Sequence, residues 1–141
     1  MPLIKDRDRP QISKLLAPLE RPVKLVMFTQ EHECQFCELT RSLVEEVVSL
    51  SPKLKAEIHD FSTERELAAQ YRIDKIPAIA VVGEQDYRIR FYGIPAGYEF
   101  PTLIEAILDV GRGTPALPAD LQAELAKIDR PVHLQVMVTP T

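Results

Sequence analysis

Cysteine is scarce in this chain: the 141 residues hold only Cys34 and Cys37, so a framework of several disulfides is excluded. Long apolar runs are also missing. The longest, Ile76 to Val82, falls far short of the eighteen or so residues a membrane span needs. Basic clusters are absent as well: 17 Lys and Arg against 21 Asp and Glu leave a formal charge of −4, and the cations are scattered, so no nucleic-acid partner is indicated. The opening Met-Pro-Leu-Ile-Lys-Asp-Arg-Asp-Arg has no hydrophobic core, so no secretory signal is expected and the expected location is the cytoplasm. Thiols are kept reduced there, and a permanent bridge closing so small a loop adds little stability, which disfavours a purely structural disulfide.

What is present suffices for one core. With 45% hydrophobic side chains a chain of this length buries roughly two thirds of its unfolded surface. Pro10 followed by Ile12, Leu15, Leu16 and Leu19 marks a first amphipathic helix, and Val23 to Phe28 reads as a buried strand. Phe36, Leu39, Leu43, Val47 and Leu50 then recur at helical spacing, which puts the first cysteine at a helix N-terminus. A strand is expected over 54–60. Thr63-Glu64-Arg65-Glu66 reads as a capping box opening a third helix to about Tyr71, completing a βαβ unit. Strands follow over 76–82 and 87–92. A helix from Pro101, stopped by Gly111, and a short helix with Leu121, Leu125 and Ile128 complete the pattern.

Both cysteines lie in Glu31-His32-Glu33-Cys34-Gln35-Phe36-Cys37-Glu38. A C-x-x-C that follows a strand and opens a helix inside a βαβ unit is a redox signature. Unpaired amides and the helix dipole at an N-terminus stabilise a thiolate and lower the thiol pKa below its free value of about 8.5. Cys34 is then the nucleophile. Cys37, one helical turn on, resolves the mixed disulfide. A zinc site is the alternative, with His32, Cys34, Cys37 and His59 or His133 as ligands, but no second C-x-x-C or H-x-x-x-H supports it, and no metal is expected.

Ile76-Pro77 opens an otherwise continuous apolar strand, a position suited to an edge, a bulge or a cis bond. Together, Cys34-Gln35-Phe36-Cys37, Tyr71 to Pro77 and Gly93 resemble the active site, cis-proline loop and following glycine of the thioredoxin fold. The stretch Phe91 to Phe100 ahead of an apolar helix is similar to the N-terminal unit of the tandem-thioredoxin protein disulfide oxidoreductases, the glutaredoxin-like family, over nearly the whole chain. The N-terminal module of the flavin-dependent component of alkyl hydroperoxide reductase is a more distant resemblance. Its first half lacks the cysteine pair, so Cys34 and Cys37 favour the first family.

The resemblance implies an α/β thioredoxin fold, a central mixed β-sheet flanked by helices, here with an extra N-terminal helix and a C-terminal orphan strand. It implies protein disulfides as substrates, a flavin-dependent thioredoxin reductase-like electron donor, no bound cofactor, and substrate contacts from Gln35, Phe36, Ile76 and Pro77. Departures are visible too. Phe28 stands where thioredoxin carries a buried aspartate, Glu33 where it has tryptophan, and no proline separates the cysteines. Glu31, Glu33 and Glu38 oppose thiolate formation, so Cys34 is expected to be less acidic than in strongly oxidising relatives. Glu57, in mid-strand, is the candidate for a carboxylate beneath the dithiol that accepts its proton; an outward-facing edge position is the alternative.

The end of the chain echoes its start. Arg130-Pro131-Val132, like Arg21-Pro22-Val23, opens an apolar segment. Residues 1–129 thus read as one thioredoxin-like unit and 130–141 as the first strand of a missing second one. Its stripe of Val132, Leu134, Val136 and Val138 is expected to be loose, to fold back, or to pair two chains in a homodimer, with the dimer favoured. The function expected is thiol-disulfide exchange on protein disulfides. A non-catalytic half-module that docks a redox unit elsewhere is the alternative.

Overall fold

The computed structural model describes residues 2–139. Nine elements follow one another: α1 (Arg9–Leu16), β1 (Val23–Thr29), α2 (Cys37–Val48), β2 (Leu54–Asp60), α3 (Arg65–Gln70), β3 (Ala78–Val82), β4 (Ile89–Tyr92), α4 (Glu99–Arg112) and α5 (Ala119–Leu125). The strands form one mixed sheet in the order β2-β1-β3-β4. β1 runs parallel to β2 through the α2 crossover and antiparallel to β3, which pairs antiparallel with β4. This is the sheet and helix arrangement of the thioredoxin fold.

Burial explains the order. Val23, Leu25, Val26, Met27 and Phe28 of β1 are all at most 1% exposed, so this strand takes a central place with both faces covered. One face carries Leu25, Met27, Ile79 and Val81 against α1, α2 and α4, with Leu43, Val44, Val47, Leu103 and Ile107 as the main partners. The other carries Val26 and Phe28 against Ala68 and Ile73 around α3. In the antiparallel register Phe28 lies opposite Ala78 and Val26 opposite Ala80, so large residues of β1 face small ones of β3.

Several boundaries depart from expectation for physical reasons. α4 begins at Glu99, two residues before Pro101, because a proline in the first turn removes only an amide that has no helical partner anyway. α4 also runs through Gly111. Its C-cap is Gly113, at φ 76° in the left-handed region, whose N–H reaches the carbonyl of Asp109. Gly111 serves packing instead: a Cβ there would lie 2.4 Å from Leu19 Cδ2. The capping box at Thr63 does not form. The Asp60 carboxylate accepts from the amides of Ser62 and Thr63 at 2.8 and 3.0 Å, and Glu64 becomes the N-cap of α3 without a side-chain bond to its amides.

The C-terminal segment requires a correction. Residues 131–139 form neither helix nor strand, and Leu134, Val136 and Val138 are 83–86% exposed. A strand exists by its ladder to a neighbour, and the sheet has no fifth member among the described residues. Pro140 and Thr141, the last two positions of the expected orphan strand, lie outside the described residues. No helix among the described residues is long and apolar enough to cross a membrane.

Candidate active site: the dithiol cleft

β1 and β2 are parallel and in register from Val23 opposite Leu54 to Thr29 opposite Asp60, so both carboxyl ends open at one edge of the sheet. That edge is where α/β sheets present their functional groups. The cysteine loop leaves from it, and Ile76-Pro77 enters β3 there, because the next residue, Ala78, pairs with Phe28 near the end of β1.

The loop is shaped locally. The Gln30 side-chain amide donates to the carbonyl of His32 at 2.6 Å, and Glu33 adopts φ 55°, a left-handed turn that delivers Cys34. α2 starts at Cys37 with Phe36 as N-cap, so Cys34 stands one turn ahead of it and the pair lies at the helix N-terminus, as expected. Two side-chain and main-chain bonds from Thr40, which is fully buried, to the Phe36 carbonyl at 2.7 and 2.9 Å fix that start. Phe36 supplies no side-chain acceptor, which leaves the first-turn amides to project their positive potential toward the loop.

The two sulfurs form a disulfide with Cα atoms 5.4 Å apart. Cys34 is half-buried, while Cys37 is 2% exposed. An incoming group therefore meets Cys34 first. Cys34, Gln35 and Cys37 line a cleft of about 490 Å³. Glu31 and Glu38 line it as acids and Arg41 as its cation, while β2 contributes Ile58, His59 and Asp60. Arg41 Nε also binds Glu45 at 2.8 Å, so the cleft is acidic on balance.

The expected site residues divide. Gln35 joins the cleft, whereas Phe36, 44% exposed, does not line it. Ile76 is half-buried and Pro77 buried, joined by a cis peptide bond, and the Pro77 carbonyl accepts from Gly93 N–H at 2.9 Å. Glu57 requires a correction: its carboxylate is not among the cleft-lining groups. Glu57 instead lies beside β1, where it meets Lys24 Nζ at 3.0 Å, with its side chain 43% exposed. The hydrogen bond from Lys24 holds the Glu57 carboxyl below its ordinary range.

His59 is a cleft residue that its sequence context suggests only as a fourth metal ligand. Its ring stacks on Phe28 with centroids 5.4 Å apart, Nδ1 lies 2.9 Å from Glu64 Oε1, and Nε2 lies 3.6 Å from Glu57 Oε2. The available signal is the alternation of a strand, which puts Glu57 and His59, two apart, on one face. Among the described residues no group of three or more His, Cys, Asp and Glu is arranged to hold a metal ion.

No protein-family model matches the chain. The alkyl hydroperoxide reductase protein AhpF of Xanthomonas campestris pv. phaseoli is 37% identical over 94 residues, covering 66% of this chain and 15% of that protein. Among solved structures, a protein disulfide oxidoreductase from Aeropyrum pernix K1 matches with a TM-score of 0.77 at 22% identity, over 88% of this chain and 55% of that one. The alkyl hydroperoxide reductase AhpF of Enterococcus faecalis matches with a TM-score of 0.79 at 28% identity, over 89% of this chain and 61% of that one. The chain thus spans 15% of the curated relative and little over half of each solved chain. Fold similarity is nearly equal on the two sides. Sequence identity runs higher toward AhpF, although the motifs alone make alkyl hydroperoxide reductase the more distant resemblance.

Proposed function

We propose, on the premise that the chain is a thioredoxin-like unit of the kind found in protein disulfide oxidoreductases and in AhpF, that it exchanges disulfides with protein substrates. The observation that carries this reading is the pair itself: a half-buried Cys34 one turn ahead of a helix start, joined to a buried Cys37, at the open edge of the sheet. In the reduced state the Cys34 thiolate attacks a substrate disulfide and Cys37 then displaces the substrate from Cys34, leaving the pair oxidised. The backbone at Ile76, ahead of Pro77, sits at the same edge and is the segment we assign to an extended substrate chain, with Gln35 and Phe36 flanking the sulfurs. The likeness to a component of a reductase supports a flavin-dependent, thioredoxin reductase-like donor of electrons.

Insulin reduction driven by dithiothreitol tests the reading. The chain should accelerate precipitation of the insulin B chain, and Cys34→Ser should fall to the dithiothreitol background. If the unaltered chain is no faster than Cys34→Ser, the exchange reading fails and a non-catalytic docking module takes its place.

We further infer that the exposed alternation of Leu134, Val136 and Val138, which follows a repeat of Arg21-Pro22-Val23 as Arg130-Pro131-Val132 and forms no strand in this fold, becomes one only against the same segment of a second chain. In isolation this apolar face should pair two chains. Light scattering at tens of micromolar should then give a dimer for the full chain and a monomer for residues 1–129. Two monomers would dismiss the pairing.

A further inference from the structure

The segment from Tyr71 to Pro77, which ends on the backbone assigned to the substrate, is fastened to β4 at both ends. At its exit the amide of Gly93, the residue after β4, donates to the Pro77 carbonyl at 2.9 Å. At its entrance stands Tyr71, the C-cap of α3. The last carbonyls of a helix have no amide partners within it, and α3 has no basic residue in its last turn to meet them. Arg90 of β4 takes that place. Its Nε and Nη2 donate to the Tyr71 carbonyl at 3.1 and 3.0 Å.

The sheet places an arginine where it can do this. Arg90 lies opposite Ala80 in the β3–β4 register, and cross-strand partners share a face. Ala80 belongs to the cluster of Ala68 and Ile73, so Arg90 is on the face that α3 covers, beside a small side chain that leaves it room. Its own side chain is 11% exposed. The guanidinium carbon lies 5.7 Å from the centre of the Tyr71 ring, which packs in turn on Phe28 at 5.8 Å. Asp86, in the turn before β4, holds the fork from the other side: Oδ1 accepts from Nη1 at 2.8 Å and Oδ2 from Nη2 at 2.5 Å. Nη1 also donates to the Ile89 carbonyl at 3.1 Å, so every N–H of the guanidinium has a partner within the protein. The bond from Arg90 holds the Asp86 carboxyl below its ordinary range, which keeps the pair ionic at neutral pH.

Between its fastened ends the segment has little freedom. Arg72 takes φ 55°, in the left-handed region that residues with a side chain seldom enter, and Ile73, 4% exposed, donates its amide to the Ala68 carbonyl at 2.9 Å. Asp74 and Lys75 are exposed and pair with each other at 3.1 Å. A shift of the α3 end against β4 is therefore passed through these two residues to Ile76. We propose that Arg90 is a positioning residue for the substrate-pairing segment: clamped by Asp86, it fixes the end of α3 against β4 and so sets where the Ile76 backbone stands for an extended substrate chain. The inference rests on the exchange reading and on the place of Ile76 within it. Lysine is no substitute, because a single ammonium does not match a carbonyl and a carboxylate at once as a planar fork does.

The test uses the full chain, fully reduced and kept anaerobic, oxidised either by insulin over a range of concentrations or by bis(hydroxyethyl) disulfide. In both cases Cys34 and Cys37 become a disulfide as one disulfide of the reagent is cleaved to two thiols, so the two electrons and two protons the pair gives up are those the reagent takes. In Arg90→Lys the insulin concentration that gives half the limiting rate should rise about tenfold, with the limiting rate itself unchanged. The rate with bis(hydroxyethyl) disulfide should not move, because so small a molecule reaches Cys34 without pairing along Ile76. Asp86→Asn keeps an acceptor but loses the charge, and should show the same split at smaller size; it decides alone if Arg90→Lys does not fold. Insulin kinetics equal to those of the unaltered chain, or equal losses with both reagents, would overturn the role of Arg90. An unaltered chain that the small disulfide oxidises and insulin does not would instead dismiss the protein-substrate reading, and this role with it.

Discussion

Cys37→Ser should convert the protein from a turnover catalyst into a trap that holds its substrate through Cys34. Cys34 is half-buried at the mouth of the cleft and should still attack an external disulfide, while Cys37, at 2% exposure, is reached only from within the protein. Its advantage is position. The Cα atoms are 5.4 Å apart, so resolution is an intramolecular step, and well-oriented intramolecular reactions reach effective molarities of about 10⁵ M or more. Without Cys37, release depends on millimolar external thiol, and turnover should drop by at least about 10³-fold. A one-to-one adduct should then accumulate, visible by mass under non-reducing conditions and lost on reduction. The converse variant, Cys34→Ser, should form little adduct, since its remaining thiol is buried. If Cys34→Ser traps substrate as well as Cys37→Ser does, the division of labour drawn from exposure is wrong.

The parts of this site that were legible in the sequence are those governed by local patterns. The C-x-x-C after an apolar run and before a helical repeat located the pair, and the short strand expected over 54–60 is β2, Leu54–Asp60. What escaped depends on neighbours distant in sequence. Nothing within Leu54–Asp60 decides between a carboxylate beneath the dithiol and one at an outward-facing edge position, and in the fold β2 lies at the edge with Glu57 half exposed and paired to Lys24 of β1. Once β2 is at the edge, its same-face neighbour His59 becomes the group at the cleft. The end of α4 teaches the same lesson at short range. Gly111 is expected to stop the helix, but Leu19 and Val23 pack closely against it within α4, and the left-handed cap falls to Gly113. At Thr63 two local rules compete for the same amide, and the side chain of Asp60 takes it. The alternation in Val132, Leu134, Val136 and Val138 is real, but alternation describes a surface, and a strand also needs a partner.

Glu46→Ala should free the N-terminal segment and lower stability by about 2–4 kcal/mol, on the basis that a part-buried bond to a charged group contributes about 1.5–3 kcal/mol and that the three made here share one carboxylate. Glu46 lies on α2, and its side chain is 15% exposed. Oε1 accepts from the amide of Leu3 at 2.7 Å, and Oε2 accepts from the amide of Ile4 at 3.0 Å and from Arg9 Nη2 at 2.8 Å. One carboxylate thus fastens the chain ahead of α1 to α2 and holds the 5%-exposed Ile4 in the main core. Burial pushes the Glu46 carboxyl up, but the amides of Leu3 and Ile4, with Arg9 behind them, outweigh it and hold the group below its ordinary value. The sign of the pH dependence follows. A carboxyl whose folded-state pKa is depressed binds its proton more readily when unfolded, so its contribution is complete above the ordinary carboxyl value near 4.3 and fades as the pH falls through the lower folded value. Denaturant unfolding at pH 7 should therefore separate the unaltered chain from Glu46→Ala by the full difference, and the separation should shrink below about pH 4. Glu46→Gln should restore part of the loss at pH 7, because its amide oxygen can still accept from one backbone N–H but no longer meets Arg9 as an ion. A gap between the unaltered chain and Glu46→Ala that stays constant from pH 7 to 3 would mean that the carboxylate's charge has no part in fastening the segment.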